Sequence, residues 1–559
     1  MIKRKVKSII KFFIPPILFK LYGFFKTKIN FIKDKNYRAD YYRIINNFIR
    51  HNSNFNKSSP CVVIWEFGGF TGIFERDSII AVALNLRGYK THVIICDGVT
   101  KACIQRNKEA SLEVWDTKCD LCVKQMLNVA IKYNFCYSFA SEYIDRDKIK
   151  ELEILSNNID VSVIKNYRYL SVAAGEFAYA SFLRYRKGYP IEYDKFKEEE
   201  RSIFRKYFHT SLVNTYIANQ VTELLKPLSI FTSHGCYSDY APPVYLSIQK
   251  KINCISWTSG FGGYHCFYSR PINNKFSYRG IDVENWQKRE KKPLKTREKK
   301  ILDKFIKNRY FNNKSMDISF RYKPENNNSI REKLKIYNNN SIVCLFTHLN
   351  WDAIVDFSTM IFNDSDEWVI ESIQQMIKIK NVNWLIRIHP AERIHGTLYS
   401  VGENIENTFK KLPNHIKIIW PWEEINTYSI YNLIDAGITI FGTIGVELPL
   451  FGKPVIVAGD AHFSNKGFTI DAKTKDEYFD ILKKAAMIKP LEDNQINYAR
   501  LYAYSYFIQR QVPLNVINKS QGQWGAIDLR QLNKLLPGKD YAMDKICEGI
   551  IKGKDVILE

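Results

Sequence analysis

Nowhere in its 559 residues does the sequence hold the roughly 20 uninterrupted apolar residues that a membrane-spanning helix requires. The best candidate, Ile9 to Phe25 (IIKFFIPPILFKLYGFF), is broken by Lys11, Lys20 and the Pro15-Pro16 pair. Glycine (26) and proline (18) are too few for a fibrous or low-complexity chain, and a hydrophobic content of 45% is that of folded protein. The eleven cysteines follow no disulfide framework, and no cleavable signal peptide precedes them, so free thiols in a reducing compartment, the cytoplasm, are expected. Acidic residues are scarce as well: 58 Asp and Glu face 82 Lys and Arg, a formal net charge of +24. Such an excess points to nucleic acid only where it clusters on a recognisable module. There is no zinc-finger spacing, RNA-recognition signature or aromatic-basic strand pattern, so no nucleic-acid partner is expected.

The one dense cluster is at the start. Residues 1–34 carry nine Lys or Arg against a single acid, Asp34. Phe, Leu and Ile interleaved with lysine suit the headgroup boundary of an anionic leaflet, so this segment is expected to hold the protein peripherally on the inner face of the cell membrane. An amphipathic helix packed on the protein itself is the alternative.

A chain of this length exceeds one ordinary core, and its pattern divides it in two. Cys61 to Phe67 (CVVIWEF) is a short apolar run ending in Gly68-Gly69, followed by a helical pattern over Ile73–Leu86 and a strand over Thr91–Cys96. This is the opening of a parallel α/β domain. A long helical pattern near Glu198–Leu225, a strand at Leu228–Thr232, a helix at Ala241–Lys250 and a strand at Cys254–Trp257 continue it, giving a first domain over 35–290. A charged and asparagine-rich stretch over 291–340 reads as a linker. Alternation then resumes: strands at Ser341–Thr347, Asn383–Ile388, Ile416–Trp420, Ala436–Ile440 and Pro454–Ala458, with helices between them. The expected fold is therefore α/β, two Rossmann-like domains with parallel sheets facing an interdomain cleft, the GT-B arrangement. The second domain covers 341–490, and 491–559 forms helices that pack back across both.

Parallel sheets bind ligands at the carboxyl ends of their strands, where helix N-termini offer free N–H groups to anions. Three such ends in the second domain are polar. Trp384 to Glu392 (WLIRIHPAE) delivers Arg387, His389 and Glu392, and the cation and imidazole suit a departing phosphate. Ile440 to Leu450 (IFGTIGVELPL) supplies a Gly442 turn, Thr443 as a helix cap, Gly445 as space for a ligand and Glu447 as acceptor for ribose hydroxyls. Thr347 to Asp352 (THLNWD) is a polar and aromatic loop that would line the cleft. Each has a plainer reading: a Thr before Gly is common in any strand–helix turn, and Glu447 would complement a helix dipole. Arg387, His389 and the Thr443 turn are expected to converge on one anion-sized hollow.

The runs LFTHLNWDAIVD, WLIRIHPAE and NTYSIYNLIDAGITIFGTIGVELPLFGKPVIVAGDAHFSNKGFT, in that order, resemble the capsule polysaccharide biosynthesis family, which includes transferases using CMP-linked Kdo. The resemblance implies a GT-B fold, a nucleotide-sugar donor bound by the second domain, a glycan or lipid-linked glycan acceptor, no cofactor and no obligatory metal. By position it puts His389 on the donor phosphate, Thr443 and Gly445 in a phosphate loop, and Glu447 at the ribose. His348 and the Phe441-Gly442 pair depart from the family pattern and leave the nucleotide, CMP or UDP, open.

In the first domain, Ser233-His234-Gly235 with Tyr237 and Asp239 resembles the family's Ser-His-Gly segment. An imidazole at a strand end titrates near neutrality and can take a proton from an acceptor hydroxyl, so His234 is a candidate base. Asp239, and Glu66, Glu75 and Asp77 around the glycine turn, are rivals. Among Cys96, Cys103, Cys119 and Cys122 only Cys119 and Cys122 have metal-like spacing, and a lone C-x2-C leaves buried thiols as the expectation. Two other functions stay open: a nucleotide-sugar 2-epimerase or polyol-phosphate transferase of the same architecture, and a non-catalytic membrane-associated polysaccharide assembly factor.

Overall fold

The computed structural model describes residues 40–53, 55–56, 58–67, 71–104, 115–188, 192–261, 265–271, 280–311, 322–354, 360–517 and 527–559. The basic segment 1–34 and the Gly68-Gly69 turn lie outside them.

The first sheet contains β1 (Cys61–Glu66), β2 (Lys90–Ile95), β3 (Cys136–Phe139), β4 (Ser229–Ser233), β5 (Asn253–Ser259) and β6 (His265–Ser269). The second contains β7 (Ser341–Phe346), β8 (Val382–Arg387), β9 (Ile416–Ile419), β10 (Ala436–Thr439), β11 (Val455–Val457) and β12 (Ile470–Asp471). A last short strand, β13 (Val512–Pro513), returns to the first sheet. The orders are β13-β6-β5-β4-β1-β2-β3 and β12-β11-β10-β7-β8-β9. Outward from β1 and from β7, each sheet steps two strands one way and then restarts on the other side, the doubly wound Rossmann order. The second sheet is parallel throughout; in the first, β6 is reversed, running antiparallel to both its neighbours, β5 and β13. The protein is thus an α/β chain of two Rossmann-like units in the GT-B arrangement.

The apolar strands follow from this layering, because a parallel sheet covered on both faces must be apolar on both. In β1, Val63 and Trp65 pack into one core while Val62 and Ile64 pack into the opposite one. In β7, Ile342, Cys344 and Phe346 face one core and Val343 and Leu345 the other. That two-residue period fixes register, since a one-residue slip would exchange the faces.

Residues beyond the second sheet tie the units together. Helix Asp493–Tyr504 packs on the 3-10 turn Leu448–Phe451 of the second unit, and helix Tyr541–Lys552 packs on helix Thr71–Asn85, β4 and β5 of the first. Arg510 is fully buried, donating from Nη1 to the carbonyls of Tyr268 (3.0 Å) and Val556 (3.1 Å) and from Nη2 to Ser269 Oγ (2.7 Å). Among the described residues no helix is long and apolar enough to cross a membrane.

Candidate functional site

The loop leaving β7 crosses to the first unit. Trp351 is buried within the first unit's core, its Nε1 donating to Thr397 Oγ1 at 3.1 Å. Next to it, Asp352 Oδ1 accepts from Arg184 Nη1 and, at 2.8 Å, from the Tyr237 hydroxyl, which also accepts from Ala353 N at 3.0 Å. Asp352 therefore joins the two units instead of meeting a nucleotide alone. A second junction lies beside it: Leu398 N donates to Lys187 O at 2.9 Å, and the Arg186 guanidinium sits 3.8 Å from the centre of the Tyr399 ring.

From this junction a strip of polar groups runs along the carboxyl ends of β7, β8 and β10. Thr347 Oγ1 accepts from His389 N at 3.0 Å, linking the ends of β7 and β8. Ala391 N donates to His389 Nδ1 at 3.1 Å, which fixes the neutral tautomer with its hydrogen on Nε2. His348 connects β7 to β10: its Nε2 lies 3.2 Å from Thr439 Oγ1 and accepts from the backbone N–H groups of Ile440 and Phe441, both at 3.3 Å. Burial, helped by the neighbouring His389, holds His348 neutral by pushing its pKa down to about 3. His389, Phe441, Gly442 and Thr443 are half-buried, so this rim is open to a ligand.

Other expected residues are engaged elsewhere. β8 ends at Arg387, so Arg387 and His389 do not share a strand face. Arg387 is buried and donates to the carbonyls of Trp420 (3.0 Å) and Ile425 (3.4 Å), holding the loop after β9 instead of an anion. His389 and the Thr443 turn thus lie along one rim, bridged by His348, while the Arg387 side chain is turned to the loop after β9. Glu392 is buried with its oxygens accepting from Ser400 Oγ (2.7 Å) and Val401 N (3.4 Å), where it caps helix Val401–Phe409. Burial pushes its carboxyl up to about 7. Thr443 precedes helix Ile444–Glu447 without a side-chain cap bond. At Gly445 an added Cβ would lie 2.1 Å from Phe463 Cζ, so that glycine makes room for an aromatic ring and not for a ligand. Glu447 is also buried, with one oxygen bound by Arg309 Nη2 at 2.8 Å and the other by the Tyr431 hydroxyl at 2.7 Å, so both are engaged within the protein.

Across the cleft, β4 ends in two successive left-handed residues, His234 (φ 53°) and Gly235 (φ 73°). That conformation costs a non-glycine residue on the order of 1 kcal/mol. His234 is half-buried, its N–H donates to Trp257 O at 2.9 Å, and its ring lies 5.9 Å from that of Tyr240 and 6.1 Å from that of Trp257. Beneath it, at the end of β1, Glu66 and Asp77 form a buried carboxyl pair, with Trp257 Nε1 donating to Asp77 Oδ1 at 2.6 Å and Arg76 over the Trp257 ring at 4.9 Å. Burial raises both carboxyls, and their proximity keeps a proton on Glu66. Asp239 is fully buried, accepting from Ile104 N at 2.7 Å. Cys96, Cys103, Cys119 and Cys122 are all half-buried, and burial pushes the Cys96 thiol up to about 12. Among the described residues no group of three His, Cys, Asp or Glu side chains is placed to hold a metal.

No family model and no curated protein matches the chain. Among solved structures the similarities are distant. A β-Kdo 2,4 transferase, KpsC of Thermosulfurimonas dismutans, is similar over 55% of this chain and 87% of its own at 15% identity and a TM-score of 0.34. A UDP-GlcNAc 2-epimerase of Neisseria meningitidis is similar over 79% and 96% at 10% identity and a TM-score of 0.24. Sucrose-phosphate synthase of Thermosynechococcus elongatus is similar over 79% and 94% at 10% identity and a TM-score of 0.31. Likenesses this distant decide neither substrate nor reaction.

Proposed function

We propose that the protein is a glycosyltransferase that moves a sugar from a nucleotide-activated donor, CMP- or UDP-linked, to a surface or capsular polysaccharide or its lipid-linked precursor. The observation that carries this reading is the rim at the ends of β7, β8 and β10, where the His389 ring is anchored through Nδ1 so that Nε2–H is its donor. Transfer passes through an oxocarbenium-like state while a phosphate departs, and a fixed donor beside that phosphate stabilises the charge without reorganising. His389 takes this role, with the backbone of Gly442 and Thr443 lining the same rim. His234 is the base that receives the acceptor's proton. A Glu66 that keeps its own proton is poorly suited to that task, so the Glu66–Asp77 pair serves as a buried support beneath the base.

Thermal shift with CMP, UDP, GDP and CDP, followed by radiolabelled-donor assays with and without acceptor, tests the reading. A bound nucleotide at 100 times its Kd stabilises the folded chain by about 2.7 kcal/mol. His389→Ala is expected to lower kcat by about 10²–10³ and leave the fold intact. Normal turnover in that variant removes the assignment, and donor conversion without any acceptor makes the protein an epimerase.

A further inference from the structure

At the edge of the second sheet formed by β9 lies a cavity of about 330 Å³ between β9, helix Val401–Phe409 and the segment after helix Asn327–Lys333. Its floor is apolar, with Leu334, Ile405, Phe409 and Ile418, and its wall is cationic: Lys333, Lys335, Lys410, Lys411 and Lys417 against Glu406 and Glu423. One charged side chain is enough to protect an edge strand from pairing, so five lysines around one hollow exceed that need. Lys410 ends helix Val401–Phe409 with a positive φ (47°), and it and Lys411 are both exposed.

Trp420 closes one side of the cavity. It packs closely on Gly402, where an added Cβ would lie 2.4 Å from Cζ3, and Trp422 stacks on it, 4.6 Å away and tilted by 15°. Trp422 stands outside the cavity lining and is 56% exposed, which leaves an indole face open to solvent next to Trp420, past the carboxyl end of β9. The platform is rigid because Arg387 grips the Trp420 carbonyl and Glu423 accepts from Trp420 N at 2.8 Å. An exposed indole face is electron-rich and pairs with the polarised C–H face of a pyranose, whereas ammonium groups pair with carboxylates.

We propose that this groove binds an acidic oligosaccharide, a chain of carboxylated sugars stacked on Trp422 and held by Lys410, Lys411 and Lys417. A phosphate or lipid headgroup would use the lysines but not the indole face, and a neutral glycan the reverse. Its lining shares no residue with the His389 rim, and the proposal does not depend on the transferase reading.

Isothermal titration of the full chain with tetragalacturonate tests the proposal, with maltotetraose, tripolyphosphate and phosphatidylglycerol vesicles as comparisons. Saturable binding of tetragalacturonate alone is expected, weakened at least tenfold by Trp422→Ala and by Lys410→Glu with Lys411→Glu, each retaining the parent melting temperature. His389→Ala should bind it as the parent does; a loss there would place the ligand in the cleft and overturn the proposal. Binding of tripolyphosphate or vesicles that Trp422→Ala leaves unchanged, with none of the uronate, would also overturn it.

Discussion

Replacing Glu447 by alanine separates two accounts of that residue. Its carboxylate is 1% exposed and bonded to an Arg309 side chain 4% exposed, with the Tyr431 hydroxyl on its other oxygen. Removing one partner of a buried ion pair leaves the other charge uncompensated, which costs about 3–5 kcal/mol. The stranded Tyr431 hydroxyl falls within the same loss. At about 1.4 kcal/mol per factor of ten, a cost near 4 kcal/mol speeds native-state opening by about 10³-fold. Hydrogen exchange read by mass spectrometry on peptides spanning β10 and β11 would show this directly, since those strands pair beside the helix that carries Glu447. Glu447→Leu with Arg309→Met should recover most of the protection, because apolar residues of similar volume avoid the desolvation cost. Parent-like protection in Glu447→Ala together with a raised donor KM would refute the reasoning and restore the ribose role.

Gly445→Ala drives a methyl group into the Phe463 ring and should destabilise the second unit by about 1–3 kcal/mol, with partial recovery when Phe463 becomes leucine; denaturant midpoints check this. Glu392, ordinarily titrating at 4.5, is raised to about 7 by burial, so the folded chain keeps a proton that the unfolded chain releases. Its contribution is therefore complete below pH 4.5 and is lost as pH rises through 7, and Glu392→Gln should flatten that slope in melting temperature measured between about pH 5 and 8.

The strands whose apolar runs are bounded by glycine, proline or polar turns were legible in the sequence, and β1, β4, β7, β8 and β10 fall where the pattern places them. β3 was not, because its four residues are half exposed and carry no apolar alternation. Nor was β13, whose two residues include a proline that only an edge position tolerates. For the site, sequence spacing located the strand ends but not the direction of the side chains beyond them. Arg387 and His389 are two residues apart, yet the strand stops between them, and the buried guanidinium turns to loop carbonyls. Gly445 reads as ligand space until Phe463, 18 positions later, occupies it. The role of His348 as the connector of β7 to β10 had a signal, since it departs from the family pattern, but its acceptor geometry depends on backbone N–H groups more than 90 residues away.

The return of β13 to β6 bears on how the polypeptide is made. A ribosome that has finished β6 must add more than 240 residues before Val512 and Pro513 emerge, a wait of roughly 10–50 s at ordinary elongation rates. During that interval the β6 backbone stands without its outer neighbour and is open to pairing with another nascent chain. Sealing comes only with the final stretch that also delivers Arg510 to Tyr268 and Ser269. Completion of the first unit therefore certifies that synthesis has run past the second, and a prematurely terminated product would present an unsealed sheet to chaperones and proteases.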